Sequence, residues 1–142
     1  MRSLIRLNIT SSLLALLFFI FVELVRNTYR INELTNIGFK TLDYIFLFVL
    51  IAILIIIPLL LKLIIGQKLT VKRINCFLAV LWIPYFFLLN MIFYIFFSLG
   101  GGNSNPIINL VINLSFILYP VYLLIVISLI NSVNKKPLSS RT

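Results

Sequence analysis

The sequence predicts an all-α polytopic integral membrane protein, a four-helix transmembrane bundle with both termini on the cytoplasmic side. Three observations carry that prediction. Hydrophobic residues make up 62% of the 142 positions, whereas a soluble domain is usually about 45–50% apolar. A chain this small has too much surface to hide the excess from water. The apolar residues fall into four runs, each near the roughly 20 residues that a helix needs to cross hydrocarbon. Finally, the basic residues gather at alternate ends of those runs. The runs are continuous rather than alternating, which excludes barrel strands. Helices then satisfy the backbone, because each pairs its own N–H and C=O groups within one segment.

The first helix is expected over about Leu7–Val25. Its basic start and apolar body resemble a secretion signal. However, the apolar part is long, and no small-x-small cleavage site accompanies the Glu23-Leu-Val-Arg26-Asn27 that follows, so it reads as a retained span. Asn8, Ser11, Ser12 and Ala15 give it a small, polar face, with Glu23 further along. Small residues permit close helix approach, so this face is expected inside the bundle. The second helix, about Tyr44–Ile65, is nearly pure Ile, Leu, Phe and Val and is expected to be the most lipid-exposed. Lys62 near its end is long enough to snorkel to the interface. The third helix is expected over about Cys76–Leu99 and the fourth over about Pro106–Ile130. Asn105 is suited to cap the fourth helix, and Pro106 at its first position loses no hydrogen bond. The glycines at 100–102 turn the chain tightly, predicting an antiparallel hairpin of helices three and four. The spans and their links use all of 1–142, which reads as one transmembrane domain.

Orientation follows from the Lys/Arg bias. Arg2, Arg6, Lys62, Lys68, Lys72, Arg73, Lys135, Lys136 and Arg141 lie on one side, and Arg26, Arg30 and Lys40 on the other. The richer side is expected to be cytoplasmic. Glu23, Glu33 and Asp43, the whole acidic complement, then fall on or near the outer side. The net charge of +9 is thereby absorbed by topology, and no free basic helix remains to bind nucleic acid. Abundant Ile, Leu, Phe, Asn and Lys suggest an AT-rich genome and point to a bacterial plasma membrane.

The chain offers little for catalysis. It has one cysteine, Cys76, and no histidine, so a paired-thiol role is excluded and zinc or haem lacks ligands. No Ser–His–Asp set, paired mid-membrane carboxylates, phosphate-binding glycine loop or CxxC is present. The expectation is a non-enzyme with no catalytic residues, metal or cofactor.

Four polar residues are candidates for contacts within the membrane: Glu23, Asn90, Asn109 and Asn113. Charged groups there are functional suspects. Glu23 near the end of helix one is spaced to pair with Arg26, either as an interfacial ion pair or as part of an outer cation site. Asn105, Asn109 and Asn113 recur every four residues and share one face of helix four. Counted from the hairpin turn, Asn90 and Asn113 lie at similar depth and are expected to face each other. Such contacts act as interhelical glue at about 0.6–2 kcal/mol each, or as the lining of a solute path. Pro58, Pro84 and Pro120, with Trp82, Tyr85, Tyr119 and Tyr122, are expected to line an amphipathic pocket open to the cytoplasmic side. In the first link, Ile31, Leu34 and Ile37 form a short apolar stripe beside Arg30, Glu33 and Lys40.

Three functions fit. The first is a membrane protein that binds a protein or peptide partner, as an accessory subunit or immunity-type protein, using residues 26–43. The second is a homo-oligomeric transporter or pore, since a monomeric four-helix bundle is too thin for a roomy channel. The third is a holin-like protein.

Overall fold

A computed structural model describes residues 2–65, 72–97 and 106–133 of the chain. Five helices appear in order: α1 (Arg2–Arg26), α2 (Thr28–Thr35), α3 (Phe39–Ile65), α4 (Lys72–Phe97) and α5 (Pro106–Val133). There is no strand among the described residues. All but α2 are long and apolar enough to cross a membrane. The protein is therefore a membrane-helix bundle. The glycine turn with Asn105, most of the basic second link, and the tail with Lys135, Lys136 and Arg141 lie outside the described residues.

The helices overrun the apolar segments that predicted them. α1 starts five residues before Leu7, and α3 starts five before Tyr44. Hydropathy marks the hydrocarbon, whereas helical hydrogen bonding continues into the interface.

The first link is itself partly helical. α1 ends at Arg26, and Asn27 forms a single turn residue whose carbonyl accepts from the N–H of Ile31 at 2.9 Å. α2 stops at Asn36, which takes the left-handed conformation at φ 53° and donates its N–H to the carbonyl of Asn32. Asparagine tolerates that backbone better than most residues. The Asn32 side chain donates to the carbonyl of Ile37 at 2.6 Å and braces the turn into α3. The apolar stripe is not buried as a unit: Ile31 and Ile37 are half-buried, while Leu34 is exposed.

α1 is the hub and packs on α3, α4 and α5. Its inward face is Leu7, Ser11, Leu14, Ala15, Phe18, Val22 and Val25, spaced by three and four residues. Ser11 and Ala15 point inward as expected, but Asn8 and Ser12 are exposed. Each is one residue, about 100° of helical turn, away from a residue on the buried stripe. α3 is the most exposed span, as its composition predicted. It contributes Ile53, Ile57 and Leu61 to the core. α4 adds Leu78, Ala79, Trp82 and Phe86, and α5 adds Ile112, Tyr119, Leu123, Val126 and Ile127.

Candidate functional site

The polar residues of α1 collect at its C-terminal end. Glu23, Arg26 and Asn27 are three and four residues apart and share one side of the last turn. Glu23 is buried at 8% exposure. Arg26 Nη1 donates to Glu23 Oε1 at 2.6 Å and to Asn90 Oδ1 of α4 at 3.1 Å. Asn27 Nδ2 donates to Glu23 Oε2 at 3.0 Å and to the Glu23 backbone carbonyl at 2.9 Å. Asn90 Nδ2 donates to the carbonyl of Phe86 at 3.0 Å. Both carboxylate oxygens are therefore matched, as a buried charge requires. The cluster ties α1 to α4 and fixes the guanidinium by a carboxylate on one helix and a carboxamide on another. Both oxygens of the Glu23 carboxylate are thus engaged, one by Arg26 and one by Asn27.

Beside the cluster lies a cavity of about 490 Å³, lined by Glu23, Arg26, Phe87, Asn90, Met91, Phe93 and Tyr94.

The expected Asn90–Asn113 pairing is corrected by these contacts. The Asn90 carboxamide is engaged with Arg26 and its own helix, and no hydrogen bond joins it to Asn113 among the described residues. Asn109 and Asn113 are both exposed on α5. The face of α5 that turns inward is apolar and aromatic instead.

The middle of the bundle is closed by rings. Phe18 stacks on Tyr119 at 4.4 Å between centroids, and Trp82 meets Tyr119 edge-on at 4.8 Å. Phe116 packs on Phe86 at 4.8 Å and on Phe18 at 5.2 Å. Such pairs add to the area they bury, at about 0.5–1.5 kcal/mol each. The polar handles are satisfied: Tyr119 Oη donates to the carbonyl of Leu14 at 2.8 Å, and Trp82 Nε1 to that of Ala79 at 2.9 Å. Ser11 Oγ, fully buried, has no partner among the described residues.

The pocket expected around the prolines takes a different form. Tyr119 and Tyr122 line a groove of about 320 Å³ between α1, α3 and α5, together with Phe18, Phe21, Leu50 and Leu54. Trp82 and Tyr85 do not line it, and neither do Pro58, Pro84 and Pro120. Pro58 acts through its backbone. Lacking an N–H, it leaves the carbonyl of Leu54 without a helical donor. Tyr122 Oη of α5 donates to that carbonyl at 2.7 Å. Sequence reasoning singled out both residues but not their bond. The offset of four residues from Pro58 back to Leu54 was the available signal.

Among the described residues, no group of three or more His, Cys, Asp or Glu is placed to hold a metal ion. No family model matches the chain, and neither do the curated proteins or the solved structures with which it was compared.

Proposed function

We propose that this is a non-enzymatic membrane protein that acts by binding a partner within or beside the bilayer, as an accessory subunit or an immunity-type protein. The observation that carries this reading is the exposure of Asn113 and Asn109 on α5. α5 has 28 residues, so it spans about 42 Å against roughly 30 Å of hydrocarbon. Asn113 lies about 10 Å from the start of α5, inside the hydrocarbon edge, and Asn109 is nearer the interface. A carboxamide facing lipid is unfavourable, and a second helix relieves it by hydrogen bonding. α2 adds an exposed polar surface, with Arg30 and Glu33, at one end of the bundle. The ring cluster through the middle favours this reading over a conduit within a single copy. A transporter or pore would have to route its path between copies.

The test is co-purification from native membranes in mild detergent. Wild-type protein is expected to bring down one stoichiometric partner, and Asn109→Leu with Asn113→Leu to lose it while remaining folded. Alanine at Arg30 and Glu33, with both asparagines intact, is expected to weaken the complex without abolishing it. Full retention by all of these variants would sink the reading.

A further inference from the structure

The cluster at the end of α1 uses only half of its arginine. Both hydrogen bonds from Arg26 leave from Nη1. Nε and Nη2 carry none among the described residues. Those two nitrogens present parallel N–H groups, the fork that takes two oxygens of a phosphate at once. Glu23 and Asn90 already hold the guanidinium in place, so little rotamer freedom remains to be lost on binding.

Depth and surroundings narrow the ligand. Arg26 is the last residue of a 25-residue helix about 37 Å long, which places it at headgroup level rather than in hydrocarbon. The adjoining cavity of about 490 Å³ is walled by Phe87, Met91 and Tyr94 of α4. All three are well exposed, so the wall runs continuously onto the lipid-facing side of that helix. An oriented guanidinium beside an apolar wall suits an oxyanion with a hydrocarbon chain attached, and at headgroup level the oxyanion that a bilayer supplies in bulk is the phosphodiester of a phospholipid.

We propose that this cavity is a phospholipid site. Arg26 binds the phosphodiester through Nε and Nη2, and one acyl chain lies along Phe87, Met91 and Tyr94. Glu23 and Asn90 are positioning residues that hold the arginine. Because Glu23 neutralises Arg26, recognition rests on directed hydrogen bonds more than on net charge. Anionic and zwitterionic phospholipids should therefore bind alike.

Native mass spectrometry of the full chain from mild detergent tests this. The probes are phosphatidylglycerol, phosphatidylethanolamine and phosphate-free diacylglycerol, with inorganic phosphate as competitor. One copy of either phospholipid is expected to be retained, diacylglycerol is not, and inorganic phosphate should fail to displace the lipid. Arg26→Lys keeps the charge beside Glu23 but removes the fork, and it should lower retention about tenfold, as loss of a charge-assisted hydrogen bond does. Met91→Trp fills the cavity without touching the ion pair and is expected to lower retention at least as much, so it decides the matter if Arg26→Lys fails to fold. Equal retention of diacylglycerol, or wild-type retention by Met91→Trp, would overturn the proposal. Displacement by inorganic phosphate would overturn it in favour of a soluble anion. None of these readouts involves Asn109 or Asn113, so the partner-binding reading stands or falls separately.

Discussion

α1 and α3 are both spanning helices but are built by opposite rules. α3 is the most apolar span, yet only 17% of its 18-residue apolar window is buried inside the bundle. α1 is much less apolar, with Thr10, Ser11 and Glu23 on its buried side, and 44% of its corresponding window is buried. In water the more apolar helix would take the centre. In a bilayer, lipid solvates Ile and Leu as well as protein does, so apolarity gives no preference for the interior. The centre goes to the helix that can pack closely and needs partners for its polar groups. α1 meets both conditions through Ala15 and Ser11 at close approach and Glu23 at its end.

The sharpest way to break this comparison is to make one substitution in both helices. Phe18 of α1 is 3% exposed and Phe48 of α3 is 73% exposed. Phe18→Ala is expected to cost about 3–5 kcal/mol, the usual range for emptying a packed aromatic site. Phe48→Ala should change stability by less than about 0.5 kcal/mol, as substitutions outside packed sites do. Unfolding in mixed micelles with a rising denaturing detergent reads both. Similar losses would mean that hydropathy, not burial, holds the bundle.

A smaller effect is expected at the polar end of α1. Glu23→Leu leaves the Arg26 and Asn27 donors without their carboxylate and should cost about 2 kcal/mol. That figure is below the cost of breaking a fully buried pair, because the Arg26 side chain is 38% exposed. The same micelle titration measures it, and a neutral result would remove the cluster from the forces joining α1 to α4.

The smallest effect concerns α3. Tyr122→Phe should cost about 1 kcal/mol, the net worth of one hydrogen bond. In a Pro58→Ala background the helix supplies its own donor to the Leu54 carbonyl, so the cost of Tyr122→Phe should shrink. A double-mutant cycle reads that coupling, and additive effects would refute the assignment.

These differences also explain what was legible in the sequence. The four spans were plain, because roughly 20 apolar residues leave a strong one-dimensional signal. Glu23 with Arg26 was visible as an i, i+3 pair. The inward faces were harder to read, because a lipid-facing surface is as apolar as a core and the period that marks burial in a soluble helix disappears. Only polar outliers remain as markers, and they do not say which neighbour they serve. Asn90 stands out in the sequence as a polar residue within a span, but depth along the hairpin pairs it with Asn113 and says nothing of an arginine reaching across from α1. The four-residue spacing of Asn109 and Asn113 likewise defines a shared face without saying whether it turns inward. Of the ring cluster, Trp82 and Tyr119 stand out in the sequence, whereas Phe18, Phe86 and Phe116 are lost among so many apolar residues. α2 was hidden because its eight residues, TYRINELT, are polar and follow α1 after a single turn residue.

The bond from Tyr122 to Leu54 also has a consequence in time. Synthesis runs in chain order, so the acceptor on α3 is made before its donor on α5. Until the last span arrives, the gap left by Pro58 holds a bare carbonyl within hydrocarbon. Arrival of α5 closes it, so a bundle still lacking that helix carries an unmet carbonyl on its most lipid-exposed span.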